Sequence, residues 1–524
     1  MTRTATSVSA PAASRPGGAD RARGLVDRVR TPAAVWLTGI GPERWLIGVV
    51  LLVAAAIRLW GLLAGIPYAV GAGETEIVDR ALHIVRTADW NPRFFDYPGL
   101  LVYLQVGLTV GRYLWGALDS EWRDLAMADP AAFYAWGRVL VAVFGTLTVW
   151  ITYRLGWALE SRWLGVVAAA QLAVMPLHVQ ESQVLLPEVP ATCLAMASIL
   201  LALRALQLGT AGASAWAGAA AGLAGAASYG AAMVLVVPAL GWALQQGDRD
   251  RWRKAGAMAG AFAAAFLVAA PYTVLDLPSF LNGVGAVMGR ASSAARAATE
   301  PAALPYLRQL TGTGIAWLPA SVIGVLLVLM RRDRRSWLPL FGFLVVYGYL
   351  LATHPPAVAS RTMPLVPVLC LVTAATVTRV AAFVRRQTGS REIRMTMIIG
   401  VGILLMLPLG WQSVRRGRQL ERPDTRTLAA ERMTSALPRG AKVAVEASGP
   451  SNLGHAGFTV VMTSRLIDHD RDWYVNEGVD YLVVSSADLA AAGYDKLWRT
   501  APVLQIPASA ERPGPPIRVF PVQP

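Results

Sequence analysis

The sequence predicts a polytopic α-helical membrane protein with a small α/β domain at its C-terminal end. Three observations predict this. Of 524 residues, 55% are hydrophobic and only 15% charged, against roughly 25% charged in soluble domains, and mean hydropathy is +0.44. About twelve apolar stretches between residues 45 and 411 approach the ~20 residues that a membrane-crossing helix needs. After Arg418 the pattern changes to a capped helix and short apolar runs of strand length.

The elements follow in order. Residues 1–43 are rich in Ala, Arg, Pro, Gly and Ser and are expected to form a disordered cytoplasmic tail. The first apolar run starts only near Trp45, too late for a cleavable signal peptide. The net charge of +15 invites a nucleic-acid reading, but the arginines cluster at the ends of apolar runs, as in "RRDRR" (331–335) and "RDRWRK" (249–254). That is the positive-inside pattern of cytoplasmic loops, and no nucleic-acid-binding fold accompanies it. Cys193 and Cys370 lie inside apolar runs and are expected as small core residues.

With the basic loops inside, "PLHVQESQVLLPE" (176–188), residues 275–313 and "DSEWRDLAMADP" (119–130) fall outside. The loop after the first span is also outside. Residues 98–118 therefore have both flanks on one side and are expected to lie in the membrane plane, which leaves about eleven true spans. The predicted organisation is a tail (1–43), a transmembrane domain (44–417) with a first external loop over 65–132, and an extracytoplasmic α/β domain (418–524). In that last domain, "DTRTLAAERMTSAL" (424–437) reads as a helix capped by Asp424 or Thr425. "KVAVEA", "FTVVMT", "VDYLVVSS" and "IRVFPV" read as strands.

The first loop carries the chemistry. Over 76–88, Ile77, Ala81, Ile84, Val85 and Ala88 fall on one helical face, and Glu76, Asp79, Arg80, His83 and Arg86 on the other. This is the spacing of an amphipathic helix at the membrane interface. Glu74 stands at its N-terminal edge, where the helix dipole favours a carboxylate. Inward carboxylates beside cations and apolar grooves suit a lipid-borne phosphate substrate, with Asp or Glu as general base. An ordinary interfacial helix with solvated charges would show the same periodicity.

Four stretches together resemble the bacterial family 39 glycosyltransferases of the GT-C fold, which include protein O-mannosyltransferases and the aminoarabinose transferase that modifies lipid A. They are "GETEIVDRALHIVRTADWNPRFFDYPGLLVYLQ", "HVQESQVLLPEVPATCLAMASILLALR", "ASYGAAMVLVVPAL" and "RTMPLVPVLCLVTAA". The resemblance covers about 40–520 and is most specific in the first loop. It implies a GT-C-like bundle, a polyprenyl-phosphate-linked sugar donor, an inverting single displacement and a catalytic carboxylate in a first loop with two in-plane helices. The sequence departs from the family pattern twice. Gly73-Glu74 stands where the family has Asp-Glu, the Asp being catalytic, and Glu188 stands where it has Asp before Val-Pro.

Glu74 is therefore the expected general base, Glu76 the second choice, and Glu188 a third carboxylate supporting the acceptor or a metal. Arg361, at an outer helix end, is expected to bind the lipid phosphate by forked hydrogen bonds. Arg58, near the outer end of the first helix, either snorkels or needs a partner near the site. Arg93, Tyr97, His178, Glu181 and His354 are further expected contacts to sugar or phosphate. His178 and Glu181 stand three apart, but two ligands do not make a site, so no metal or other cofactor is expected to be required, with a divalent metal as the alternative. His455 and His469 are expected on the surface of the C-terminal domain.

The leading expectation is an inverting transferase in the cytoplasmic (inner) membrane, with its N-terminus cytoplasmic and a cell-envelope lipid, glycan or protein as acceptor. No Gly-rich nucleotide loop is present, as suits a lipid-linked donor. A transporter would place ionisable residues at mid-membrane and commonly show repeated halves. A non-catalytic relative that binds lipid-linked sugar would explain Gly73.

Overall fold

The computed structural model of the chain describes residues 42–118, 130–245, 249–297, 300–301, 303–312, 316–331, 335–353, 358–485, 494, 497 and 500–522. Among these, four helices are long and apolar enough to cross a membrane. They are Ala131–Leu159, Glu188–Leu208, and those beginning at Ala359 and Glu392. Shorter apolar helices join them at Trp45–Leu59, Tyr229–Ala243, Trp317–Leu329 and Leu338–Thr353. The chain is a multi-pass membrane protein.

Glycines and prolines account for most differences from the expected boundaries. The first span stops at Leu59 rather than 64, because Gly61 and Gly65 take φ of +76° and +75°, a region that favours glycine. The stretch expected as a helix over 231–245 is a 3₁₀ turn, Tyr229–Leu235, leading into a short helix, Val236–Ala243. The stretch 362–384 likewise opens with a 3₁₀ turn, Ala359–Leu365, before Val366–Thr388. Pro364 and Pro367 supply no amide to an α-helical ladder there. The last span, expected to end at 411, runs unbroken as Arg391–Leu420. This moves the start of the C-terminal domain past Leu420.

The Ala-rich helices Ala211–Ala227 and Arg251–Ala269 pack with their backbones nearly touching. A Cβ on Gly218 or Gly222 would strike the carbonyl of Met258 or Phe262. Small residues permit this approach in a membrane, where dispersion rather than the hydrophobic effect holds helices together.

The first loop forms two helices, Ala72–Thr87 and Leu100–Leu118. The expected amphipathic face is observed: Ile77, Ala81 and Ile84 are buried, whereas Asp79, His83 and Arg86 are exposed. Ala81 and Ile84 pack against Val102 and Val106 of the second helix.

The C-terminal domain starts with the helix Thr425–Ala436, capped by Asp424, whose side chain accepts from the Arg426 amide. A five-stranded sheet follows in the order β2-β1-β3-β5-β4. Its strands are β1 (Lys442–Glu446), β2 (Thr459–Thr463), β3 (Tyr481–Val484), β4 (Leu504–Ile506) and β5 (Ile517–Pro521). β1 runs parallel to β2 and β3, while β5 is antiparallel to β3 and β4. The four expected strands are present; the three-residue edge strand β4 was too short to show as a pattern. The domain docks on the start of the first loop. The Ser451 amide donates to the Tyr68 carbonyl (2.8 Å), and Asn452 Nδ2 to the Pro67 carbonyl (2.7 Å).

Candidate active site

The Ala72–Thr87 helix opens with a capping arrangement in which Glu74 accepts from the Gly71 amide at 3.4 Å. Glu74 is 2% exposed and fully engaged. Arg138 grips it from the Pro130–Leu159 helix, Nε to Oε1 at 2.8 Å and Nη2 to Oε2 at 2.7 Å. The Leu185 amide donates to Oε1 at 2.7 Å. Arg138 Nη1 donates to the carbonyls of Leu62 and Ala64, both at 2.9 Å. The residue that the sequence favours as base thus joins the first loop, the 130–159 helix and the 182–187 turn. A forked, fully satisfied pair of this kind holds position well and keeps few lone pairs for substrate.

Beside it, Gly73 presents bare backbone. The Tyr97 hydroxyl donates to the Gly73 carbonyl at 3.4 Å. A Cβ on Gly73 would lie 2.8 Å from Leu186 Cδ2 and 3.3 Å from the Tyr97 oxygen. Where the family resemblance places a carboxylate, this chain has a tyrosine hydroxyl and a leucine methyl. Burial, then the negative charges of Glu188, Glu76 and Asp96, raise the Tyr97 phenol above its ordinary range. It therefore remains a proton-bearing donor.

Tyr97 opens onto a cavity of about 520 Å³ that also receives Glu188, Ser360, Arg361 and Tyr347. Glu188 is the first residue of the Glu188–Leu208 helix. Its Oε2 is buried and has no hydrogen-bond partner among the described residues. Ser360 hydrogen-bonds the carboxylate, and Arg361 attracts it electrostatically. The 3₁₀ turn Ala359–Leu365 carries both residues and is held by the Tyr347 hydroxyl, which donates to the Arg361 carbonyl at 3.0 Å. The other walls are apolar: Phe280, Val284, Val287 and Met288 from the Leu277–Ala297 helix, with Leu350 and Leu351 opposite. A buried carboxylate, an arginine and a tyrosine hydroxyl thus share one cavity with a long greasy wall. These groups suit an anionic head on an apolar tail.

Glu181 stands behind this cavity. Burial first, then the nearby charge of Glu188, raises its carboxyl from the ordinary 4.5 to about 7, with Arg416 opposing. The folded protein then binds a proton that the unfolded chain releases above pH 4.5. Stability falls as pH rises from about 4.5 to about 7, by on the order of 3 kcal/mol over the window. Glu181→Gln is expected to remove this fall. Melting curves of the two proteins should coincide near pH 4.5 and separate by pH 7, with the variant the more stable.

The other expected site residues disperse. Arg58 is fully buried and lines neither this cavity nor its neighbour. It donates to the carbonyls of Ala54, Ala173 and Leu172, and to His178 Nδ1 at 2.9 Å. An arginine can only donate, so the His178 proton sits on Nε2. His178 faces Arg58 and Glu181 faces Glu188, so the two do not converge on a common ligand. Glu76 pairs with Arg80 along the loop helix at 2.6 Å, and Arg93 with Asp89 on the loop surface at 2.9 Å. His354 lies outside the described residues. His455 and His469 are exposed, as expected, and His469 stacks on Trp473 at 3.9 Å. Cys193 and Cys370 are unpaired and buried, as expected.

Arg138, Ser360 and Tyr347 were not singled out in the sequence. Arg138 had a legible signal, being a cation inside an apolar run, which calls for a buried partner. Ser360 and Tyr347 had none, because only folding brings them to Glu188.

The fold is a polytopic helical membrane bundle with a small C-terminal α/β domain, the architecture of the GT-C fold. Residues 135–274 match the family described as dolichyl-phosphate-mannose-protein mannosyltransferase, which bears out the resemblance read from the sequence motifs. Among solved structures, the chain is similar to ArnT from Cupriavidus metallidurans bound to undecaprenyl phosphate. Identity is 13% and the TM-score 0.60, over 92% of this chain and 98% of that one. It is also similar to the Archaeoglobus fulgidus oligosaccharyltransferase tethered to an acceptor peptide, with 12% identity and a TM-score of 0.57 over 85% and 69% of the two chains. AglB of the same organism, in complex with an inhibitory peptide and a dolichol-phosphate, gives 12% and 0.51 over 84% and 69%. No curated protein gives a sequence match.

Proposed function

We propose that the chain is an inverting glycosyltransferase that moves a sugar from a polyprenyl phosphate to a cell-envelope acceptor, with Glu188 as general base. The observation that carries this reading is the Glu188 carboxylate. One of its oxygens is buried without a partner among the described residues, in an apolar-walled cavity beside Arg361 and Tyr97. Two structurally similar proteins hold undecaprenyl phosphate and dolichol-phosphate, which supports a polyprenyl-phosphate donor.

In this reading the polyprenyl tail lies along the 277–297 helix and the phosphate beside Arg361, with Tyr97 donating a hydrogen bond. Glu188 removes the proton of an acceptor hydroxyl. The resulting oxygen nucleophile forms a bond to the anomeric carbon as the bond from that carbon to the phosphate oxygen breaks. Polyprenyl phosphate leaves with the electron pair. One displacement inverts the anomeric centre, as in the single-base half of inverting glycosidase chemistry. Neither a metal nor another cofactor is needed, since the donor carries its own leaving group. Glu74 serves as the anchored brace of the first loop. The protein sits in the cytoplasmic membrane, with its N-terminus cytoplasmic and the C-terminal domain on the far side.

The direct test is release of polyprenyl phosphate from a panel of polyprenyl-phosphate sugars by the purified protein with cell-envelope acceptors. Release with one donor would establish the reaction and name the sugar. No release with any donor, alongside intact polyprenyl-phosphate binding, would favour a non-catalytic relative, with Gly73 as the cause. Arg361→Gln is expected to raise KM for the lipid donor about tenfold or more, the range of a lost charge-assisted hydrogen bond, as measured by initial rates.

A further inference from the structure

A second cavity, of about 530 Å³, lies on the other side of the Glu74–Arg138 pair, between the membrane bundle and the C-terminal domain. Four arginines line it: Arg138, Arg416, Arg422 and Arg426. Two are neutralised locally. Arg138 holds Glu74, and Arg426 holds Asp424 at 2.9 Å. Among the described residues, the other two form no such ion pair within the cavity wall. Arg416 extends from the end of the Arg391–Leu420 helix and is opposed by Glu181, a carboxyl that is about half protonated at neutral pH. Arg422 is anchored by one donated bond to the Ala510 carbonyl, leaving its remaining donors for a ligand. The cavity therefore has a positive end at the close of the Arg391–Leu420 helix, with the 509–513 segment facing it.

We propose that this cavity binds the phosphate monoester of an anionic acceptor between Arg416 and Arg422. Its role as the acceptor site rests on the transferase reading; its capacity to bind phosphate does not. The geometry favours this division of labour. The donor cavity is mostly apolar and holds one arginine, whereas this one is the more polar of the two and is lined by four. Glu181 lines neither cavity but feels the charges of both Glu188 and Arg416. Arginine suits the task because its planar fork matches phosphate oxygens bidentately.

The test is direct binding to the detergent-solubilised full chain of two probes, glycerol 1-phosphate and dioctanoyl phosphatidic acid in mixed micelles. With the Arg361 cavity saturated by polyprenyl phosphate, Arg416→Gln and Arg422→Gln are each expected to weaken binding about tenfold, and the double variant to abolish it. Binding of both probes would mean that the phosphate group suffices; binding of the lipid alone would mark the acceptor as lipid-borne. Either supports the proposal. Failure to bind both, or binding indifferent to the double variant, would overturn it. Retained polyprenyl-phosphate binding shows that the variants are folded, and the paired Lys variants, which keep the charge, carry the comparison if the Gln forms do not fold. If the unmodified chain fails to bind polyprenyl phosphate, the transferase reading fails, independently of the result with the two probes.

Discussion

Glu188→Gln is expected to lower the rate of sugar transfer by about 10²–10⁴-fold, the usual contribution of a positioned general base. The amide keeps the size and the Ser360 contact of the acid but cannot accept the acceptor's proton. Binding of polyprenyl phosphate should persist, because the phosphate is assigned to Arg361 and Tyr97. Single-turnover kinetics with a saturating donor would separate the two effects. A variant that retains full rate would remove Glu188 from the base role and return it to Glu74 or Glu76.

Glu74→Ala is expected to act on stability first. It leaves Arg138 buried and half-satisfied, with an orphaned Leu185 amide. Breaking a buried pair by removing one partner typically costs about 3–5 kcal/mol. Arg138→Ala should cost a similar amount, and the double variant less than the sum, because it leaves no buried charge uncompensated. Thermal unfolding of the solubilised chain measures all three. The contrast with Glu188→Gln is diagnostic: one variant should unfold early, the other should fold and fail to turn over. A stable but inactive Glu74→Gln protein would instead place Glu74 in the chemistry.

Much of the architecture was legible because membrane spans and amphipathic helices are written as periodic patterns. The 77/81/84 face of the first-loop helix, the Asp424 cap and four strands were all readable this way. What failed were local interruptions. Pro364 and Pro367 split one expected span, and Gly61 cut another short, whereas the apolar count alone ran straight through them. The site was legible as a set of residue types but not as a pairing. Glu74, Glu76 and Glu188 are all carboxylates in sequence. Only the fold shows that Arg138 satisfies the first, that Arg80 pairs with the second on the loop's outer face, and that the third keeps a buried oxygen unpartnered. Arg58 and His178 meet deep in the bundle, a contact between residues 120 apart that no local pattern encodes.

The contacts of Ser451 and Asn452 with Pro67 and Tyr68 have a consequence for timing. They tie the beginning of the first loop to a strand domain translated some 380 residues later. Chains acquire structure from the N-terminal end as they are made, so the loop reaches the membrane long before its latch exists. A partly synthesised chain can insert its helices yet cannot fasten the segment leading into Glu74. Competence for transfer would then be the last property the molecule gains, arriving only when its final sheet closes over its first turn.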